Sequence, residues 1–346
     1  MPEDAPSAGK WSEGPVAGLD LGTNNCRLLV AEAVSGGRDF RVIDSFSRSV
    51  RLGDGIEYSG ALSEDAMQRT IDALKICADK VARASVGSFR AVATAACRLA
   101  LNGGEFARRV ETETGVPLEI ISAEEEARLA VSGCGPLVDP EAERVLIFDI
   151  GGGSTELVLL DLSDVRPEAR AATAQRADTA RTHVVDWMSV PVGVATLQDK
   201  FAEIADPGKR YGLMTWYFEE LIAGFGSAPT PLPGEREKRL QLIGASGSVT
   251  TIGSAHLGLR RYDRSKVDGL WVPVRSVRRI ARELASLNDF TRAQHPSVGA
   301  ERSKMIVASC AILTAILNYW PSQEIRVADR GLREGLIYAQ IAPVRS

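Results

Sequence analysis

Two stretches of this sequence hold residues that could do phosphate chemistry, "GLDLGTNNCRLLV" (18–30) and "FDIGGGSTELVLL" (148–160). Each ends an apolar run in an aspartate, Asp20 or Asp149, and then turns through glycine and small polar residues into a β-rich run. Asp-Gly and Gly-Gly pairs are also plain hairpin signals. Two occurrences, each opening one half of the chain, weigh toward function. Glycines let backbone N–H groups converge on an anion, and the aspartate can face a metal ion carried by that anion. The loops 20–25 and 149–155 could then grip a phosphate chain from opposite sides.

Three further stretches fit that chemistry. "ISAEEEARL" places Glu124, Glu125 and Glu126 after an apolar strand. Acids in a first helical turn complement the macrodipole, which accounts for two of them. If the helix begins near Ala123, one carboxylate projects toward the strand end, where it could orient and deprotonate a water. Arg98, closing "TAACR", is either a bidentate phosphate ligand or an ordinary surface arginine. "GASGSVTTIG" brings Ser246, Gly247 and Ser248 to the start of a helix, whose N-terminus attracts anions. No G-K-[ST] follows, so it is not a Walker loop. A stripe of Arg275, Arg278, Arg279 and Arg282 after Pro273 could guide a long anionic chain, but reads first as the solvated face of an amphipathic helix.

The elements that must position these residues read as two αβ halves. At 346 residues the chain exceeds what one core usually serves. The first half runs strand, turn, strand, strand, then a helix opened by Ser63 as cap. The second restarts with "RVLIFDIGGGSTELVLLDL", passes a polar Ala/Arg-rich insertion and a surface loop, "SAPTPLPGEREK", and ends mainly helical. The net charge of -4 argues against a nucleic-acid partner. Five scattered cysteines and three separated histidines suggest neither disulfides nor a zinc site. No apolar stretch approaches a membrane span, and the leader has no signal core, so a cytoplasmic protein without a membrane partner is expected.

Together "GLDLGTNNCRLLV", "ATAACR", "EIISAEEEARL", "FDIGGGSTEL", "VPVGVATL", "GASGSV" and "LREGL" resemble, in order and spacing, the exopolyphosphatase/guanosine pentaphosphate phosphatase family in its short, two-domain form. The resemblance spans about residues 16 to 340. It implies an α/β fold of the actin-like, sugar-kinase-like superfamily: two ribonuclease H-like domains, 1–132 completed by 324–346, and 133–323, around a phosphate-binding cleft. It implies hydrolysis of the terminal phosphoanhydride of inorganic polyphosphate, or of guanosine pentaphosphate, with Mg²⁺ or Mn²⁺, an accessory K⁺ and a homodimer. Matching motifs carries the base to Glu126, with Glu125 beside it, in a run, Glu124–Glu126, that inspection alone does not separate. A magnesium carboxylate falls on Asp149, supported by Asp20 and Glu156. Phosphate contacts fall on Gly22, Thr23, Asn24, Gly151, Gly152, Gly153, Ser154 and Arg98. A weakly catalytic guanosine tetraphosphate-binding regulator is a competing reading; a kinase or ATPase of the superfamily is disfavoured by "EEAR" with "DIGGGSTE".

Overall fold

Two hairpins seed two sheets. The computed structural model describes residues 14–34, 39–226 and 239–341. The "SAPTPLPGEREK" loop and most of the leader lie outside the described residues. The first sheet comprises β1 (Val16–Leu21), β2 (Asn25–Ala33), β3 (Phe40–Ser49), β4 (Ser88–Ala93) and β5 (Leu118–Ile120). The second comprises β6 (Arg144–Ile150), β7 (Thr155–Asp161), β8 (Val184–Val190), β9 (Leu240–Ala245), β10 (Trp271–Pro273) and β11 (Glu324–Ala328).

Strand order is β3-β2-β1-β4-β5 in one sheet and β10-β11-β9-β6-β7-β8 in the other. In each, three strands meander antiparallel and the next two run parallel to the first. Antiparallel neighbours need only a tight turn, whereas parallel ones need a crossover, which is why helices such as Glu64–Arg83 and Gly103–Thr114 intervene where they do. The same order occurs twice, with β10 added at one edge. This is the pair of ribonuclease H-like units of the actin-like fold.

The duplication reaches individual atoms. In the first turn Gly22 N donates to Asn25 O at 2.9 Å, and in the second Gly151 N donates to Ser154 O at 2.9 Å. Asp20 lies opposite Arg27 across one hairpin, and Asp149 opposite Glu156 across the other. Each aspartate is thus held at a strand end by an apolar run buried on both sides, Leu19 and Leu21 or Phe148 and Ile150.

Local signals behave as expected in several elements. Ser63 accepts from Ala66 N to start Glu64–Arg83, whose Ala66, Ile71 and Leu74 are buried. The polar segment after β7 is ordered rather than merely exposed: the helices Arg170–Gln175 and Ala177–Thr182 lie beside Ala123–Cys134. Its anchor is the buried Arg170, which donates to the carbonyls of Leu162, Val165 and Pro140. Bonds to three carbonyls offset part of the cost of burying the guanidinium.

The C-terminal segment corrects one expectation. Its strand does not return to the first sheet: β11 pairs with β9 and β10 in the second. The helix that follows, Leu332–Tyr338, packs on Ala123–Cys134, β1 and β2. A parallel place beside β9 was open to the strand, because β9 otherwise has only β6 as neighbour. Among the described residues no helix is long and apolar enough to cross a membrane.

Candidate active site

Between the two sheets lies a cleft of about 840 Å³, lined by Asp20, Gly22, Thr23, Asn24, Glu126, Asp149, Gly151, Gly152, Gly153, Ser154, Glu156, Ser246, Gly247 and Ser248. These are residues that the sequence singles out, brought from four separate stretches to one space. Thr23 and Asn24 face Gly152 and Gly153 across it. Asn24 Nδ2 also donates to Met305 Sδ at 3.5 Å, joining the first hairpin to the opposite wall.

The glycine-rich loop is held from behind. Val194 N donates to Gly151 O at 2.9 Å and Ala195 N to Gly152 O at 2.8 Å. With Gly151 O and Gly152 O taken by the start of the helix Val194–Lys200 and Gly151 N by Ser154 O, the N–H groups of Gly152 and Gly153 are left for the cleft side among the described residues. Gly193 allows this contact: a Cβ there would stand 2.5 Å from Gly151 O. At the third loop, Ser246 adopts φ 131°, a conformation that favours glycine. Its hydroxyl accepts from Ser248 N and Val249 N, capping the helix Gly247–His256 at the cleft.

The run of three acids is separated by the helix they open. Ser122 caps Ala123–Cys134, its side chain accepting from Glu125 N. Glu125 pairs with Arg90 at 3.3 Å and with Arg128. Glu124 lines a second, smaller cavity of about 210 Å³ with Trp187. Of the three, only Glu126 lines the cleft. Arg98 Nη1 donates to Glu126 Oε2 at 3.0 Å and to Ile121 O at 3.1 Å. Arg98 itself is absent from the cleft lining. The structure sets it beside Glu126, with its guanidinium at the strand end that precedes the helix.

Four carboxyls crowd this floor, and each is held above its ordinary range. Burial pushes Glu126 up to about 7; Arg98 opposes the shift, while Asp20 and Asp149 add to it. Burial raises Asp149 to about 6 against the pull of Arg27, with Asp20 and Glu334 adding. Asp20 is raised by burial and held back by Arg27 and Arg333. Glu156 is raised well above the carboxylate range by burial and then by Glu126, although Ser189 Oγ donates to it at 3.1 Å. Acids that repel one another in a cleft mark a place where protons or cations are taken up. Among the described residues no group of three or more His, Cys, Asp or Glu is arranged to hold a metal ion.

Sequence reasoning missed several lining residues: Arg27, Arg48, Arg51, Arg69, Thr94, Arg302 and Ser309. Arg27 was legible, since strand alternation puts it on the face of Asn25 and the hairpin pairs it with Asp20. Arg302 and Ser309 come from a helical region with no motif. Glu334, within "LREGL", is only 1% exposed. Burial would raise it, but Arg333, Arg264 and the Gly331 N–H hold it below the usual range. The four arginines after Pro273 do not line the cleft. Arg278 donates to Asn318 and Leu317 O, and Arg279 pairs with Glu283. Their helix, Val274–Ser286, buries Val277, Ile280, Ala281 and Leu284 on its other face.

Comparison with known proteins places the chain beside one family. The model of the Ppx/GppA phosphatase family matches residues 29–342. A protein of Haemophilus influenzae named as a candidate exopolyphosphatase is 25% identical over 338 residues, covering 96% of this chain and 94% of its own. The crystal structure of an Aquifex aeolicus member of the Ppx/GppA family is 26% identical, with TM-score 0.75 over 95% of this chain and 97% of that one. An exopolyphosphatase structure from Cytophaga hutchinsonii, 23% identical, shares the fold with TM-score 0.78 over 96% and 99% of the two chains.

Proposed function

This chain belongs to the Ppx/GppA phosphatase family, and from that premise we propose that it is an exopolyphosphatase, removing orthophosphate from the end of inorganic polyphosphate. The observation that carries the reading is Glu126, the one acid of its run that faces the cleft, set across from two glycine-bearing hairpins. The terminal phosphoryl group would be held by the backbone N–H groups that the two turns leave open, those of Thr23 and Asn24 in the first and of Gly152 and Gly153 in the second. Glu126, at about 7, is present in both protonation states near neutrality and can take a proton from water. The water oxygen bonds to the terminal phosphorus, the bridging P–O bond breaks, and the shortened chain leaves with the electron pair. Arg98 keeps part of the Glu126 population ionised. Glu156, also in the cleft lining, is raised well above the usual carboxylate range by burial first and then by Glu126. Such reactions depend mostly on positioning and charge stabilisation, and no covalent intermediate is needed.

Asp20 and Asp149 suit Mg²⁺, which takes one or two carboxylates and fills its remaining positions with phosphate oxygens and water. Among the described residues neither carboxylate accepts a hydrogen bond from protein, so both are available to it. When bound, the ion would neutralise oxygen charge on the phosphates. Inorganic polyphosphate is favoured over guanosine pentaphosphate because no aromatic side chain lines the cleft among the described residues, leaving a guanine base without a stacking face. The test is phosphate release with Mg²⁺ from polyphosphate and from guanosine pentaphosphate in parallel. Preference for polyphosphate supports the reading; release from the pentaphosphate alone overturns it.

A further inference from the structure

The proposed hydrolysis accounts for the floor of the cleft but leaves one wall unexplained. Along it lie Ser47, Arg48 and Ser49 from the end of β3, then Arg51. Arg51 has φ 48°, in the left-handed region that a side chain other than glycine enters at a cost. The fold holds it there from both sides. Val50 N and Arg51 N both donate to Asn24 O, at 2.8 and 3.0 Å, and Gly53 N donates to Thr23 O at 3.0 Å. Arg69 closes the other side, Nε donating to Val50 O at 3.2 Å and Nη2 to Arg51 O at 3.4 Å. The turn after β3 is therefore sewn to the same hairpin residues that face the glycine-rich loop.

Backbone strain maintained beside a cleft points from geometry to use. Both side chains at issue are exposed cations. Among the described residues neither the Arg48 nor the Arg51 guanidinium donates a hydrogen bond or forms an ion pair; Arg48 only lies over the Phe46 ring at 5.4 Å. Charge on an edge strand such as β3 also discourages strand addition. That purpose is served anywhere along the open edge, and does not require two arginines beside the phosphate hairpin or a strained turn to carry one of them.

We infer that Arg48 and Arg51 form an outer anion subsite that holds the phosphates behind the terminal one, with Arg69 as a positioning residue for the turn. The inference rests on the reading of this cleft as one for a linear polyanion. A guanidinium offers planar, paired donors to phosphate oxygens, and two in succession on one wall suit a repeating anion better than a compact one. Chain-length preference then follows from this wall: tripolyphosphate engages it in part, a long chain fully.

The test compares Arg48→Ala, Arg51→Gly and the double variant with the parent, using tripolyphosphate and long-chain polyphosphate. Glycine adopts the left-handed turn freely, so Arg51→Gly should melt no lower than the parent while losing the cation. The expected result is that the long-to-short ratio of kcat/KM falls about tenfold or more in the double variant. The dependence of long-chain KM on salt should become shallower. Long-chain polyphosphate binding is also measured by calorimetry in a Glu126→Gln background, with and without the double change. A parent that hydrolyses polyphosphate, and a double variant with parental KM for both lengths, overturns the subsite and leaves the reaction standing. Binding that depends on Arg48 and Arg51 without hydrolysis by the parent sustains the subsite and overturns the reaction. Absence of both binding and hydrolysis overturns both.

Discussion

Glu126 and Arg98 divide roles that their sequence positions leave entangled. In the base role proposed for it, Glu126 must be ionised to accept a proton. With its carboxyl pushed up to about 7, activity should climb with pH through that value. Glu126→Gln should lower kcat by about a hundredfold or more while polyphosphate still binds, which single-turnover assays and calorimetry together would check. Arg98 offers a sharper discrimination. Beside Glu126 it favours the ionised form, so Arg98→Ala should move the rising limb of the pH profile upward. A phosphate ligand would instead raise KM with the limb in place. The same acids bear on stability in the metal-free protein. Glu126 and Asp149, at about 7 and about 6, lie above their unfolded values, so what they contribute to stability is complete below about pH 4. That contribution is lost as pH rises through the two folded values. Relative to the parent, Glu126→Gln should accordingly gain melting temperature between about pH 5 and 8.

At the scale of the element, two helix starts determine how accurately the site is built. Ser122 caps Ala123–Cys134 one turn before Glu126. Ser122→Ala should cost about 1 kcal/mol and reduce kcat more than binding, since the carboxylate rides on that first turn. The helix Val194–Lys200 instead acts on the glycine-rich loop through two N–H donors. Gly193→Ala places a methyl 2.5 Å from Gly151 O, so either the loop or the helix must shift. Weakened polyphosphate binding with near-normal far-UV circular dichroism is the expected result. Calorimetry would detect the loss, and parental affinity would show the loop to be independent of its support.

Across the whole molecule, the helices Ala123–Cys134 and Leu332–Tyr338 join the site to both sheets. They cross so closely that a Cβ on Gly335 would stand 2.0 Å from Leu129 O. Overpacking of this kind typically costs about 1–3 kcal/mol, so Gly335→Ala should lower the melting temperature by several degrees. Because Glu126 sits on one of these helices and Glu334 on the other, activity should fall further than stability alone explains. The arrangement also clarifies why "LREGL" carries a buried charge: Glu334, ringed by Arg264, Arg333 and the Gly331 N–H, stays ionised behind Asp20 and Asp149.

Much of this was readable in one dimension. Hairpin turns, strand alternation, the Ser63 cap and the arginine stripe opposite Val277 and Ile280 are local, because dihedral preference and apolar periodicity act over a few residues. Local signals therefore determined the two αβ halves and the loops that face the cleft. They could not decide which of Glu124, Glu125 and Glu126 faces it, since a shift of one residue turns a helical side chain by about 100°. Nor could they show that Arg98 meets Glu126, that β11 joins the second sheet, or that Arg48, Arg51 and Arg302 line the same space as Asp20. Those outcomes depend on contacts between residues tens to hundreds of positions apart. Only the packing of both sheets and their connecting helices brings such residues within reach of one another.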